Sequence, residues 1–441
     1  MKQYKYLILL IGFCSTFLSA QTRLSKDEAV GITLENNYDI LVSTNNVKIA
    51  ENNASIYNSG YLPNLFVNGN GSFQDSQRDS EFLDGSTFVS NINSEVLNGS
   101  VGVGYNLFDG FGRKYNYKRL KEQYNLSEVQ AKQVIELSVL QLLQAYYEVA
   151  RLTQNKINQE ISLGISKERL TREKYSYEFG QNTILDVLNS EVNVNNDSIT
   201  ILNTDRLLSN AKRDLNVIAG RDINIDFEVD TLVEYNLGLN LTSLIGSAKK
   251  DNKDLQQAEK NIALSNYDLK ISKSTLYPSL DLSSSYSLNN TYNQTDVGNP
   301  FSLIRQNSKG IQAGVNLTWN IFDGGFTKTR IQNAKIAIEN NEILKEQIEQ
   351  DLERNISNAW ETYQNALYIL QAEKKNVETN QRNFSRSEEQ FKLGQIISIE
   401  FRLAQTNYLN AVTNYTLAKY SAKVAELVLL QLSGQLLGAN Y

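Results

Sequence analysis

The chain has no histidine, one cysteine, one methionine and three prolines in 441 residues. Without histidine there is no His-dependent triad, no imidazole acid or base and no imidazole metal ligand. The cysteine is Cys14 and the methionine is Met1, so everything downstream lacks thiol chemistry, disulfides and thioether metal sites. No cofactor and no catalytic set is expected. Beyond the N-terminus no apolar run approaches the ~20 residues that a membrane-spanning helix needs. Lysine and arginine number 43 against 49 acidic residues, for a net charge of −6 with the signs mixed. That leaves no basic footprint for nucleic acid. No proline falls between Pro63 and Pro278, which permits very long helices. Aromatics are plentiful, with 24 tyrosines, which argues against a disordered chain.

Lys2 and Lys5 precede an apolar run from Leu7 to Leu18, followed by Ser19, Ala20 and Gln21. This is the pattern of a secretory signal peptide over residues 1–20, cut after Ala20. Phe13 stands where a lipoprotein signal places a small residue, which argues against lipidation of Cys14.

The rest is written twice. Phe108-Asp109-Gly110 recurs as Phe322-Asp323-Gly324, Gly180-Gln181 as Gly394-Gln395, Gly220 as Gly434, and Pro63 as Pro278. From 110 to 180 and from 324 to 394 is 70 in both cases, and from 180 to 220 and 394 to 434 is 40. Four landmark pairs holding one offset of 214–215 imply a duplication, with a first copy over 21–220, a linker over 221–240 and a second copy over 241–441.

Each copy opens with helical sequence. Ser25-Lys26-Asp27-Glu28 has the form of a capping box, and a polar helix is expected from about Asp39 to Ser59. After Pro63 the period becomes two. Strands are expected over 64–75 and 96–108 with a polar loop from Asp75 to Glu95 between them, and in the second copy over 279–289 and 310–322. Leu280, Leu282, Tyr286 and Leu288 alternate with Asp281, Ser283, Ser285 and Ser287. Val315 and Leu317 alternate with Asn316 and Thr318. One apolar face and one face of small polar residues fits a transmembrane barrel strand, and equally a soluble antiparallel sheet. The export signal and the small polar faces favour the membrane. The repeat equivalents Tyr105 and Trp319 suit an interfacial aromatic girdle.

Long helices are expected over 112–179 and 326–393, each roughly 100 Å at 1.5 Å per residue. Return helices follow over 184–219 and 398–433, beyond Gly180 and Gly394, which have the sequence setting of left-handed C-cap glycines. Apolar residues recur every seven: Leu142, Val149, Leu163, Leu170 and Tyr177, interrupted by Lys156, and in the second copy Ile356, Tyr363, Leu370, Val377, Phe384 and Phe391. That is coiled-coil packing. The return helices continue at steps of seven, with Val187, Val194, Ile201, Leu208 and Leu215 in the first and Phe401, Tyr408, Tyr415, Ala422 and Leu429 in the second; the first also carries a second seam, Leu185, Leu188, Val192, Ile199 and Leu202, so it needs neighbours on both sides. Asp109 and Asp323 are placed to cap the helices after the strands, and Thr183 and Asp186 form another capping box. Four strands cannot close a membrane barrel, and open edges in lipid are prohibitive, so the barrel must be shared between chains.

This ordered set resembles the TolC-type outer-membrane efflux channels across essentially the whole mature chain: the duplication, the strand pair in each copy, the Phe-Asp-Gly junctions, and the pattern Phe179-Gly180…Asp186-Val187-Leu188. The resemblance implies an α + β membrane protein. It would be a homotrimer with a shared twelve-strand barrel in the outer-membrane lipid and a twelve-helix antiparallel coiled-coil tube in the periplasm. It implies a belt holding the short helices and residues 221–241, a periplasmic adaptor protein, and an inner-membrane pump of proton-driven or ABC type. It places the Gly180 and Gly394 turns at the periplasmic entrance where the adaptor docks, and puts Glu400 in a ring of acidic residues there, with Asp186 its counterpart in the first copy. Where other members carry a Tyr and an Arg that lock the closed tip, this chain has Phe391 and Ile396, and Leu403 stands at a second acidic position. Closure is then expected to rest on apolar contacts such as those of Phe391. The Asp109-Gly110 and Asp323-Gly324 pairs mark the barrel–helix junction. The function implied is a passive exit duct for efflux or type I secretion. A barrel-anchored adhesive coiled coil is the alternative, against which the hairpin glycines argue.

Overall fold

The computed structural model describes residues 23–295 and 303–439; the expected leader with Cys14, and Pro300, lie outside them. In chain order the elements are β1 (Arg23–Leu24), α1 (Lys26–Asn36), α2 (Tyr38–Asn53), β2 (Asn64–Glu81), β3 (Thr87–Asp109), α3 (Gly112–Glu178), α4 (Ile184–Ile218), β4 (Glu228–Val229), α5 (Leu241–Asp251), α6 (Lys253–Ser274), β5 (Ser279–Thr295), β6 (Arg305–Thr318), α7 (Phe326–Lys392) and α8 (Ser398–Leu432). The long helices α3 and α7 are both 67 residues and α4 and α8 are both 35, so the two copies agree in element order and in the lengths of these helices. No helix among the described residues is long and apolar enough to cross a membrane.

The chain divides into two compact units. One comprises residues 46–129 and 257–347, and holds an antiparallel sheet in the order β2-β3-β5-β6. Its strands are longer than the alternation in the sequence suggested. The stretch from Asp75 to Glu95, expected as a loop, pairs residue for residue from Asp75↔Asn93 to Glu81↔Thr87 and turns only at Phe82–Ser86, where Phe82 N–H donates to Ser86 O at 2.9 Å. Most of its side chains are exposed or half-buried, and the buried Ser90 is polar, so no hydrophobic period marks it; backbone pairing holds it, with the Ser94 hydroxyl donating to Asn293 Oδ1 at 2.7 Å. β5 likewise runs on to Thr295 rather than ending near residue 289. β6, by contrast, stops at Thr318 instead of 322. Its one partner, β5, begins at Ser279 just after Pro278, and Ser279↔Thr318 is the last pair. β3 leaves β2 at Gly104 and continues to Asp109 on β5 alone, with a bulge between Asn106 and Phe108, so that Asp109↔Ser279 is its last pair. Helical segments of the same unit are tied by Arg119–Asp268 at 2.6 Å and Lys260–Glu122 at 3.0 Å.

The other unit comprises residues 23–45, 130–256 and 348–439 of the described chain. Its core is the heptad seams meeting. Leu142, Val149 and Leu215 pack with Leu427 and Leu436 in one cluster, and Ile356, Tyr363 and Leu429 pack in a second with Leu244 and Ala248 of α5. Lys156, which interrupts the first seam, reaches Asp205 of α4 at 2.5 Å. The linker over 221–240 is pinned rather than loose. β4 pairs in parallel with β1, and four tyrosine hydroxyls bond to backbone around it: Tyr146 to Leu24 O at 2.9 Å, Tyr235 to Lys419 O at 2.8 Å, Tyr363 to Asn236 O at 3.0 Å and Tyr420 to Thr231 O at 3.1 Å. Glu426, in a fully buried pair with Lys423 at 2.8 Å, also accepts the Asn236 N–H at 3.0 Å. Burial drives the Tyr147, Tyr235, Tyr363 and Tyr420 hydroxyls well above the ordinary phenol range, with the Glu426 charge adding to the first three and Asp230 to the last. The helix expected from Asp39 to Ser59 ends at Asn53, followed by a single 3-10 turn over Ile56–Asn58.

Candidate functional site

In the unit built from residues 130–256 and 348–439, α3 and α7 each end in the same reversal. Gly180 and Gly394 sit at φ +72° and +71°. Gly180 N–H donates to Tyr177 O at 2.9 Å and Gln181 N–H to Ser176 O at 2.8 Å; Gly394 N–H donates to Phe391 O at 3.1 Å and Gln395 N–H to Gln390 O at 2.8 Å. This paired pattern satisfies carbonyls that the helix end would leave open, and it requires a left-handed residue that glycine supplies without strain. A Cβ at either glycine would meet no atom within 4 Å, so conformation alone selects glycine here.

After each turn the next helix is capped, and the caps differ. Asp186 Oδ2 accepts both the Thr183 N–H at 3.1 Å and the Thr183 hydroxyl at 2.7 Å, and Asp186 is half-buried. Glu400 accepts the Ile397 N–H at 3.3 Å; Ile397 has no hydroxyl to add, and Glu400 stays exposed. A capping bond is thus made by both carboxylates, not by Asp186 alone. Phe391 stacks on Phe401 with centroids 4.8 Å apart and an interplanar angle of 7°, Phe384 lies 5.6 Å from Phe401, and Phe384 stacks on Tyr408 at 5.5 Å. The two heptad seams of α7 and α8 therefore close as an aromatic ladder, with Phe391 as its last rung and Arg172 over its outer face at 5.8 Å. Leu403 and Ile397 are exposed, while Ile396 is half-buried.

The seam expected along α3 toward this turn is displaced. Leu163 and Leu170 are only half-buried and Tyr177 is exposed. The buried positions are Ser162, Ser166, Arg169 and Glu173, a stripe of helical period made of polar residues. Apolar periodicity cannot reveal a buried polar stripe, so sequence reasoning missed it.

The junctions lie in the sheet-bearing unit. Asp109 Oδ2 accepts the Arg113 N–H at 2.7 Å, and Asp323 accepts the Gly325 N–H at 3.1 Å and the Thr327 N–H at 2.9 Å. Those bonds, the Thr327 contact foremost, hold the Asp323 carboxyl below its ordinary range. Each chain reversal uses two consecutive left-handed residues, Gly110 and Phe111 in the first copy and Gly324 and Gly325 in the second. Phe111 at φ +70° is strained for a bulky residue and is steadied edge-to-face by Phe108 at 5.4 Å. Tyr105 stands under the Arg113 guanidinium at 5.8 Å, and Trp319, just past the end of β6, donates Nε1–H to Leu276 O at 3.1 Å. Among the described residues no cluster of His, Cys, Asp and Glu is arranged to hold a metal.

A duplicated chain with four barrel strands and paired long antiparallel helices is the architecture of an outer-membrane channel. The family model described as outer membrane efflux protein matches twice, over residues 29–221 and 244–435, and the chain belongs to that family. It is an efflux protein of the outer membrane, and its fold is that of solved outer-membrane channels. The outer membrane efflux protein BepC of Brucella suis is 23% identical over 438 residues, covering 97% of this chain and 89% of BepC. The probable efflux pump outer membrane protein TtgC of Pseudomonas putida is 24% identical, covering 87% of this chain and 77% of TtgC. Among solved structures, the Campylobacter jejuni CmeC outer membrane channel superposes with a TM-score of 0.74 at 16% identity, covering 93% of this chain and 86% of CmeC. The open state of the Neisseria gonorrhoeae MtrE outer membrane channel gives 0.65 at 17% identity, covering 93% and 89%.

Proposed function

We propose that three copies of this chain form one exit duct, through which substrates handed over by an inner-membrane pump and a periplasmic adaptor pass to the outside without energy input at this step. The observation that carries the reading is the open four-stranded sheet. β2 and β6 are its edges, and unpaired strand edges are prohibitive in lipid unless neighbouring copies cover them. The second seam of α4 agrees: Leu185, Leu188, Val192, Ile199 and Leu202 are all more than half exposed in the single chain and call for a neighbour. On this reading residues 1–20 are a cleaved signal peptide, Tyr105 and Trp319 sit at the membrane interface, and Val315 and Leu317 face lipid while Asn316 and Thr318 face the lumen. The Gly180 and Gly394 turns form the entrance and adaptor-docking end, where Glu400 carboxylates from the copies concentrate cations, and Phe391 contributes to apolar closure. The pump is of proton-driven or ABC type.

Planar-bilayer recording on the purified assembly tests the duct. Discrete cation-preferring conductance steps are expected. An assembled, membrane-inserted protein that never conducts would instead fit an adhesive coiled coil anchored by a barrel.

A further inference from the structure

The buried polar stripe of α3 meets α4 and α8 in one network. Arg402 of α8 grips Asp197 of α4 with both ends of its guanidinium, Nη1 to Oδ2 at 2.9 Å and Nη2 to Oδ1 at 2.7 Å. Ser166 of α3 donates to the same Asp197 Oδ2 at 2.6 Å. Gln405 of α8 donates Nε2–H to Ser162 O at 2.9 Å and to Ser166 Oγ at 3.1 Å. The pair thus bridges two helices over a third, and bidentate pairing gives it direction as well as strength.

One turn along α3 from Ser166 lies a second guanidinium. Arg169 is 3% exposed, and its Nε and Nη2 have no hydrogen-bond partner among the described residues. Burial, and then the Arg402 charge beside it, pull its pKa down to about 10. It borders a cavity of about 300 Å³ shared with Asp186, Asn193, Ser398 and Arg402. Glu173, a further turn on, gives one oxygen to Asn182 of the reversal turn at 2.5 Å and leaves the other without a partner. An unpaired buried guanidinium is a cost that a folded chain ordinarily avoids by pairing it or moving it outward.

We propose that Asp197 has two alternating partners: Arg402 in the conformation described here, and Arg169 when α8 moves away from α4. This deepens the reading of the turns as a channel entrance and rests on it. Separating a buried pair strands a charge, and that alone would make any displacement of α8 prohibitive. With Arg169 already inside, one turn away and with donors to spare, the carboxylate exchanges one guanidinium for another. Arg402 is released toward the cavity and solvent. Such an exchange defines two discrete arrangements rather than a continuum, which is what a gate needs. It also explains why this stretch of α3 buries serine and arginine where an aliphatic seam would pack more simply. Neither Arg402 nor Asp197 has a like residue at its repeat equivalent, Leu188 and Ala411, so each chain carries one such exchange.

Two readouts on the assembled protein test it. In a Cys14→Ser background, nitroxides at Glu191→Cys on α4 and Leu403→Cys on α8, diluted with unlabelled chain, report helix separation without requiring conduction. Bilayer recording reports opening. Arg402→Met should raise the long-distance population and the open fraction at least tenfold, and Arg402→Asp with Asp197→Arg should restore the short distance. Arg169→Met should lower opening at least threefold, with Arg169→Lys between it and the wild type. In an Asp197→Asn background Arg169→Met should change nothing, because the exchange needs the carboxylate. An effect of Arg169→Met that is the same whether Asp197 is kept or replaced, or an increase in opening, would overturn the exchange. Distances that shift as stated in an assembly that never conducts would support the exchange and contradict the duct; conductance changes without distance changes would do the reverse.

Discussion

The two helix reversals of this chain share a backbone and differ in chemistry. Both place glycine at a φ near +70° and close with the same bond, Gln181 N–H to Ser176 O and Gln395 N–H to Gln390 O, each at 2.8 Å. Around that frame the first copy contributes a threonine–aspartate cap and the polar stripe of Ser162, Ser166, Arg169 and Glu173. The second contributes an exposed glutamate, a stacked aromatic ladder and the Arg402 and Gln405 that reach across to the first. A duplication keeps what backbone geometry demands and releases the side chains to diverge. The divergence falls where the two copies must do different things in one wall of helices.

The two barrel–helix junctions likewise share a backbone and differ in what surrounds it. Gly110 and Gly324 share a left-handed φ, but a Cβ on Gly110 would collide with Ser274 O and lie 2.8 Å from Tyr277 Cβ, whereas one on Gly324 would meet nothing within 4 Å. Gly324→Ala should cost only the conformational penalty of about 1–2 kcal/mol. Gly110→Ala should cost well more and reduce assembled protein severely, as read by thermal melting of the purified assembly. Equal losses would mean that the two junctions are equivalent after all.

The sheet should show the opposite, copies kept alike by a common solvent. Leu317 and its repeat equivalent Val103 are both exposed on the single chain. Leu317→Arg and Val103→Arg should each destabilise the inserted barrel, by less than the about 2–4 kcal/mol of a mid-bilayer position because each lies two residues from an interfacial aromatic, with Thr318→Arg milder still. Semi-native gels of membrane extracts measure this, and a reversed order of Leu317→Arg and Thr318→Arg would show that the lipid and lumen faces are exchanged.

Smaller effects belong to the turns. Phe391→Ala removes a stacked pair worth about 1 kcal/mol beyond its buried area and should raise resting leak in bilayers. Tyr177→Ala, at the equivalent but exposed and unstacked position, should change leak little. Asp186→Asn should destabilise the start of α4 by about 0.5–1 kcal/mol with little change in selectivity, while Glu400→Gln should lower cation selectivity with the assembly intact. Reversal potentials in a salt gradient, alongside thermal melts, separate the two.

Much of this was readable from residue order. Both long helices and both return helices end within one residue of where the glycines and heptads placed them, because those signals come from the chain's own geometry. The duplication was equally plain from four landmarks. Three features were not legible. The Asp75–Glu95 hairpin has no buried apolar face to imprint a period of two. β4 is a two-residue ladder whose partner lies some two hundred residues earlier, and the tyrosines that pin the linker look like ordinary seam or surface residues until their hydroxyls find carbonyls. The Ser162–Glu173 stripe hid for a related reason: a polar core has no hydrophobic period, and its neighbours Leu163 and Leu170 supplied a false one.

No single chain can close the barrel and tube, since each supplies four strands in an open sheet and an α4 seam left bare. Native mass spectrometry of the detergent-extracted protein measures this directly. A particle of three mature chains that does not yield folded monomer on dilution is expected. A stable, fully folded monomer with the same sheet and helices would contradict it.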